Sequence, residues 1–297
     1  MHGVRISGKR GAVIYAAARK GREKGRKSMR CRIVFSDVDG TLLNSAHQLS
    51  ENTLYAIRAL QKRGIPFVIV SARSPAGVYP IQGKYGFQSP VISYSGALIL
   101  DAHRNVLAEE GFSPQTAERI LLAIDKSGLD CAWNIYSANA WIVKNKRDPR
   151  VLREESIVHT SAAEGNAGML PADARVGKIL CMCNPACILQ LEQTLKAAFP
   201  ALTIAKSSDI LLEIMPKGVS KGSAVKALCG FWKIPLESAA AFGDYYNDVE
   251  MLKTVGKPFL MGNAPEELKK EFTNITSGND EDGIYRGLVK AGLIPRR

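Results

Sequence analysis

The stretch Phe35-Ser36-Asp37-Val38-Asp39-Gly40-Thr41-Leu42-Leu43 decides the fold, because it closes an apolar strand with two carboxylates, a glycine turn and a hydroxyl. In an extended chain, residues two apart point to the same side, so Asp37 and Asp39 can face one site. That arrangement suits a divalent cation and a phosphoryl group. The same D-x-D-G letters also occur in calcium loops and in simple turns. A calcium loop needs further oxygen ligands at alternate positions and a closing glutamate, whereas Thr41-Leu42-Leu43-Asn44 supplies mostly apolar residues. The turn and calcium readings are the weaker ones, and residues downstream must decide.

Three later segments fall where a strand should meet a loop. Pro66-Phe67-Val68-Ile69-Val70 is a short apolar, β-rich run ending in Ser71-Ala72-Arg73, which places a hydroxyl and a cation at a strand's carboxyl end. Open parallel sheets bind ligands at such ends. Lys217-Gly218-Val219-Ser220-Lys221-Gly222 opens a helical pattern, so an ammonium lies beside a helix start that itself favours anions. Ala239-Ala240-Ala241-Phe242 then leads into Gly243-Asp244-Tyr245-Tyr246-Asn247-Asp248, a second strand that ends in acids. Taken alone, Lys221 reads as a solvated helix lysine and Ser71 as a helix cap. In the order acid, hydroxyl, lysine, acid, those bland readings lose weight.

That order resembles the haloacid dehalogenase superfamily of phosphohydrolases, and more closely its Cof-like, type IIB branch, which carries an α/β cap of the C2 type. The resemblance runs from about Arg30 to about Leu293. Ser93-Tyr94-Ser95-Gly96-Ala97, Met261-Gly262-Asn263-Ala264 and Asn279-Asp280-Glu281-Asp282-Gly283 also look like signatures of that branch. The fold it implies is α/β: a Rossmann-like parallel-sheet core with an inserted α/β cap domain.

The resemblance also implies roles. Asp37 is the expected nucleophile that forms an aspartyl-phosphate, and Asp39 the acid/base that protonates the leaving oxygen and later deprotonates water. Mg2+ is expected at Asp37, the backbone carbonyl of Asp39 and Asp244, with Asn247 or Asp248 at or just outside the coordination shell. Thr41, Ser71 and Lys221 are expected to hold the phosphoryl oxygens. Arg73, Ser95 and Asn263 are candidates for substrate contact, Arg73 alternatively pairing with an acid near the same cleft. Two departures from the branch pattern stand out. Ser71-Ala72-Arg73 replaces Thr-Gly-Arg, which keeps the hydroxyl. Ser95 replaces an asparagine, which loses an amide's reach and its paired donor and acceptor.

Composition fits an enzyme of two α/β domains. The 297 residues are 46% hydrophobic, enough for one substantial core plus a smaller domain. Without an apolar run of about eighteen residues, no membrane span is expected. Cys31, Cys131, Cys181, Cys183, Cys187 and Cys229 form no C-x-x-C pair. They read as buried thiols of a cytoplasmic protein rather than as zinc ligands or disulfides. The net charge of +12 is concentrated: residues 1–30 hold ten Lys/Arg and one acid, Glu23, and so carry +9 of it. Residues 1–29 form a basic extension with little to bury, expected to be disordered. This segment reads as an RNA-binding or anionic-surface arm, as a targeting peptide, or as translated sequence upstream of a true start at Met29. The last is favoured because Met29 sits just before the first strand.

The pattern divides the chain into core (30–111), cap (112–207) and core again (208–297). The cap is expected to be a small open sheet with helices on one face, carrying Trp133, Tyr136, Trp141 and Lys178 as packing residues or cleft residues, packing being favoured. The core is expected to resume at Ile210-Leu211-Leu212-Glu213-Ile214. The function expected is a magnesium-dependent phosphatase, monomer or homodimer, acting on a small phosphorylated metabolite such as a sugar phosphate or a phosphorylated cofactor. A phosphomutase using the same Asp37 is the alternative within the superfamily. A non-catalytic regulatory protein that binds RNA or anions through its basic arm is the alternative of another class.

Overall fold

The computed structural model describes residues 31–158 and 160–297, so the basic extension lies outside the described residues. Among these, the strands in chain order are β1 (Ile33–Ser36), β2 (Phe67–Val70), β3 (Val91–Ser93), β4 (Leu98–Leu100), β5 (Val106–Glu109), β6 (Cys131–Ser137), β7 (Ala140–Val143), β8 (Ala163–Glu164), β9 (Lys178–Cys183), β10 (Leu202–Lys206), β11 (Leu211–Pro216), β12 (Ala239–Gly243) and β13 (Lys257–Leu260). The helices are α1 (Glu51–Lys62), α2 (Pro75–Tyr85), α3 (Pro114–Lys126), α4 (Pro149–Val158), α5 (Ile188–Ala198), α6 (Lys221–Phe231), α7 (Val249–Thr254), α8 (Glu266–Lys269) and α9 (Gly283–Lys290). The strands form a seven-stranded sheet, β13-β12-β1-β2-β3-β4-β5, and a six-stranded sheet, β10-β11-β9-β6-β7-β8. Two compact units result, one of residues 31–72, 82–107 and 220–297, the other of 73–81 and 108–219.

In the first unit, β13, β12, β1, β2 and β3 are mutually parallel, and β4 returns antiparallel to β3. The four residues of β1 and the four of β2 are all buried, which is why β2 and the first three residues of β1 read as apolar runs rather than alternating ones. From β1 the chain winds outward to β2 and β3, and it later re-enters at β12, on the other side of β1, to continue to β13. The winding therefore reverses between β1 and β12, and their carboxyl ends flank the crevice where such sheets bind ligands. Helix α1 buries Thr53, Ala56, Ile57 and Leu60, the one-face spacing of an amphipathic helix. Ser50 caps it by accepting from the Thr53 N–H at 3.1 Å.

The Asn279–Gly283 signature works as a clasp. Asp282, in the left-handed region at φ 60°, accepts from Ser50 Oγ at 2.6 Å and from Asn52 Nδ2 at 2.7 Å. Asn279 Nδ2 donates to the Leu43 carbonyl at 3.0 Å, and Asp280 receives both the N–H and the hydroxyl of Ser45. The last segment of the chain is thereby tied to the loop that follows Asp37 and Asp39.

In the second unit, β6 lies between β9 and β7, antiparallel to both. One face packs Trp133, Ile135, Ile179, Cys181 and Ile214 against Ala117, Ile120 and Leu121 of α3 and Ile188, Leu191 and Leu195 of α5. Trp133 is thus a core residue. The opposite face carries a polar and aromatic network: Trp141 Nε1 donates to the buried Asn134 Oδ1 at 2.9 Å, Tyr136 stacks on Trp141, and Lys178 lies over the Tyr136 ring and pairs with Glu213 at 3.4 Å. All six cysteines are free; Cys31, Cys181, Cys183 and Cys229 are buried, and burial pushes the Cys229 thiol up to about 12. No helix among the described residues is long and apolar enough to cross a membrane.

Two expected boundaries move. Strand β11 does not resume the core: it pairs antiparallel with β10 and β9, Ile214 lying opposite both Ile204 and Ile179, and this unit continues to Val219. The turn Ser207-Ser208-Asp209 makes β10 and β11 a hairpin, and Leu212 and Ile214 alternate into the second core. The segment Arg73–Ile81, expected within 30–111, also groups with the second unit, and the next crossing falls at Leu107 rather than at 111.

Candidate active site

Asp37 is the first residue past β1, and its N–H donates to the Phe242 carbonyl of β12 at 3.0 Å, so sheet pairing fixes where its carboxylate begins. The Val38 carbonyl then accepts from the N–H groups of Leu42 and Leu43, both at 3.0 Å, closing a tight turn that leaves Asp39 exposed while Asp37 is buried. Gly40 makes that turn possible. Its φ is +80°, and a Cβ there would collide with the Asp244 carboxylate. The two acid loops are thus packed backbone to side chain.

Further bonds lock them together. Thr41 Oγ1 donates to Asp244 Oδ1 at 2.7 Å. Asn263 Nδ2 donates to the Gly40 carbonyl at 2.9 Å and to Asp244 Oδ2 at 3.4 Å, its own oxygen accepting from the Asn279 N–H at 3.1 Å. Asp248 Oδ2 accepts from the N–H groups of Asp244 and Tyr245 at 3.0 and 3.1 Å, which curls the loop after β12 back on itself.

Lys221 completes the cluster. Ser220 and Ser223 exchange side-chain-to-backbone hydrogen bonds, both 2.9 Å, in a capping box that starts α6 one residue before the lysine. A lysine in the first turn of a helix opposes the helix dipole. Here acids offset that cost: Lys221 Nζ donates to Asp37 Oδ1 at 2.5 Å and to Asp248 Oδ1 at 2.6 Å. Burial alone would lower the lysine's pKa, but Asp248 and Asp37 outweigh it, and the net shift is upward.

The carboxylates show the opposite balance. Burial raises Asp37 well above the usual carboxylate range, Lys221 pulling it down and Asp248 and Asp244 pushing it up. Asp244 is pushed up to about 6, chiefly by burial, with the Thr41 hydrogen bond opposing. Oxygens of Asp37, Asp244 and Asp248 lie within 4.8 Å of one another. An all-oxygen donor set of crowded carboxylates, two of them proton-hungry, fits a hard divalent cation, whose charge would relieve that crowding.

Asp37, Asp39, Thr41, Lys221, Asp244, Asp248 and Asn263 are therefore brought together, and Asn247 is exposed on the loop after β12. Ser71 is buried at the end of β2, its N–H donating to the Ile92 carbonyl and its carbonyl accepting from the Ser95 N–H at 2.9 Å. Ser95 is buried with φ 53° and ψ 25°. That left-handed geometry is one asparagine tolerates and serine rarely adopts, which gives the position a backbone reason for an amide residue. Arg73 belongs to the other unit, where its guanidinium donates to the Gly77 carbonyl at 3.4 Å. Sequence reasoning missed that Asp248, Thr41 and Asn263 brace the acids; the i to i+4 spacing of Asp244 and Asp248 was the available signal.

Residues 34–288 match the model of the haloacid dehalogenase-like hydrolase family. A putative phosphatase from Haemophilus influenzae is 34% identical over 256 residues, covering 86% of this chain and 96% of its own. An HMP-PP phosphatase from Klebsiella pneumoniae is 29% identical over 245 residues, covering 80% and 87% respectively. A crystal structure of a haloacid dehalogenase-like hydrolase from Bacteroides thetaiotaomicron superposes with a TM-score of 0.80 at 25% identity, covering 88% of this chain and all of that one. The chain belongs to the haloacid dehalogenase-like hydrolase family. It is an enzyme of the phosphoric monoester hydrolase class.

Proposed function

We propose that this protein is a magnesium-dependent phosphatase of small phosphorylated metabolites that works through an aspartyl-phosphate. The observation that carries the reading is the buried Lys221 ammonium bonded to both Asp37 and Asp248, beside Asp244, at the carboxyl ends of two adjacent parallel strands. The HMP-PP phosphatase relative supports a small phosphorylated substrate.

An oxygen of Asp37 forms the bond to phosphorus as the bond from phosphorus to the ester oxygen breaks. Asp39, exposed beside it, hands its proton to that leaving oxygen and later accepts one from the water that attacks the acyl phosphate, releasing inorganic phosphate and free Asp37. The Lys221 ammonium offsets the negative charge of the phosphoryl oxygens, and Ser71, just past β2, and Thr41, in the loop after β1, would hold those oxygens. Asp37, Asp244 and the Asp39 carbonyl are the groups that would hold magnesium, which supplies charge neutralisation to the phosphoryl group. Asp248 spends its oxygens on Lys221 and two backbone N–H groups, so its part is to position them. The cap role that the family resemblance implies, choice of the leaving group, is assigned to the unit formed by 73–81 and 108–219.

The test is phosphate release from a panel of sugar phosphates, pyridoxal phosphate, flavin mononucleotide and an aryl phosphate, with and without magnesium. Magnesium-dependent release abolished by Asp37→Asn is expected. Near-full activity in Asp37→Asn refutes the covalent route, and retention of phosphate on an isomerised product points to the mutase.

A further inference from the structure

The first unit carries a cleft of about 640 Å³ that the phosphoryl chemistry does not use. Arg286 and Lys290 of α9, and Arg296 and Arg297 of the segment after it, line this cleft together with Glu51 and Asp282. Both acids are already engaged. Asp282 accepts from Ser50 and Asn52, and Glu51 pairs with Arg297 at 3.3 Å. The Arg297 N–H donates to the Tyr285 hydroxyl at 2.8 Å, which holds that segment against α9. Among the described residues, no carboxylate forms an ion pair with Arg286, Lys290 or Arg296. Exposed cations scattered over a surface are solvated and need no partner, but cations gathered round one concavity reinforce each other's field there. Arg286 and Lys290 are also a like-charged i, i+4 pair, which costs helix stability until an anion offsets it.

We propose that this cleft is a second anion site, for a small polyphosphate of the nucleoside di- or triphosphate class. The inference goes beyond the phosphatase reading and does not depend on it, since no residue that lines the cleft belongs to the cluster around Asp37. Guanidinium groups grip phosphate oxygens two at a time, and three cations with no acid to answer them suit a ligand whose charge is spread over more than one phosphorus. The volume points the same way: it lies within the roughly 300–1,000 Å³ of small-molecule sites and far exceeds one phosphate. Tyr285 and Val289, each one position before a cation on α9, add a less polar strip to the lining, where the uncharged part of the ligand would rest. Inorganic phosphate would feel the same field but could meet only part of the cation set and none of the strip.

The test is calorimetry on the whole chain in chelator, where the metal-free acid cluster repels anions, with ADP, AMP and inorganic pyrophosphate as titrants at about 50 mM salt. The parent protein is compared with Arg286→Gln/Lys290→Gln, with Arg296→Gln, and with a charge-matched control, Lys62→Gln/Lys126→Gln. All five side chains are exposed, so the variants keep the fold. Expected is one equivalent of ADP, bound about tenfold tighter than AMP and about threefold tighter than pyrophosphate. The double cleft variant should weaken ADP about tenfold, Arg296→Gln about threefold, and the control less than about twofold. Residues 1–29 are also basic, but every variant shares them, so the difference between cleft and control variants isolates the cleft. Equal losses in cleft and control variants, several equivalents bound per chain, ADP no tighter than AMP, or no heat at about 1 mM ADP overturn the site. Pyrophosphate bound as tightly as ADP overturns the nucleoside assignment.

Discussion

Replacing Lys221 by methionine keeps an unbranched side chain one atom shorter and deletes its charge, which leaves Asp37 and Asp248 buried and facing each other. The lysine and Asp248 side chains are 1% and 0% exposed and that of Asp37 is 8% exposed, so water cannot replace the ammonium without rearrangement. Breaking a buried pair of this kind costs about 3–5 kcal/mol, or roughly 6–15 °C in a chain of this size. The cost must depend on pH. Lys221 is what holds Asp37 down against burial and its two acidic neighbours, so in the variant the Asp37 carboxyl rises further above its unfolded value. A carboxyl raised in the native state binds protons there that the unfolded chain has released, so stability is regained as pH falls toward the unfolded pKa. Urea titrations in chelator at about pH 8 and about pH 5 should therefore show the full deficit at the higher pH and about half of it at the lower. Asp248→Asn added to Lys221→Met should cost less than the sum of the two single changes. A deficit under about 1 kcal/mol at the higher pH, or one equal at both, would refute the electrostatic account of this cluster.

The Asp244 carboxyl, pushed up to about 6, makes two linked predictions. Metal-free protein should lose stability as pH rises from about 4 to about 6, by up to about 3 kcal/mol, because the native state binds a proton there that the unfolded chain does not. Added magnesium should raise Tm more at about pH 7.5 than at about pH 5, because protons compete for the same oxygens; a Tm gain independent of pH in differential scanning fluorimetry would count against Asp244 as a ligand. Ser95→Asn should stabilise by about 0.5–1 kcal/mol by relieving the left-handed backbone, read as a rise of a few degrees in Tm, and a fall would show that the buried site cannot take the amide.

Much of this architecture was legible because it is local. β1, β2 and β12 are short apolar runs followed by polar residues, and the reversal of winding between β1 and β12 puts the acids that follow those two strands on one crevice. The helix starts at Ser50 and Ser220 follow from capping chemistry written in adjacent letters. What sequence could not show is long-range pairing. Leu211–Pro216 has the composition of a core strand, and only its register against β9 and β10 assigns it to the second sheet. Thr41 meets Asp244 across about two hundred residues, and Asn263 meets Gly40 across a similar gap, so their bracing of the acid loops follows from long-range packing that no adjacent letters encode. Ser95 is the instructive case: its departure from asparagine reads in the sequence as a change in substrate contact, and the left-handed backbone adds a conformational meaning that the letters do not carry.

The charge balance at the crevice explains why so many residues brace so few. With Asp37, Asp244 and Asp248 ionised, one ammonium leaves the buried cluster at a net charge of −2, and exposed Asp39 adds to the field. Such a cluster tends either to take up protons, as the raised Asp37 and Asp244 carboxyls record, or to spread its acids apart. Spreading is prevented by Thr41 and Asn263 on Asp244, by two N–H groups on Asp248, and by the clasp from Asn279 to Asp282 behind them. The fold thus keeps a negative site closed, and a phosphoryl dianion would enter it against repulsion. A bound divalent cation removes that repulsion, so metal and substrate should strengthen each other's binding by the same factor. The apparent KM for a phosphate ester should fall as magnesium rises while the magnesium affinity rises with the ester. An ester affinity indifferent to magnesium would mean that Lys221 alone carries the phosphoryl group.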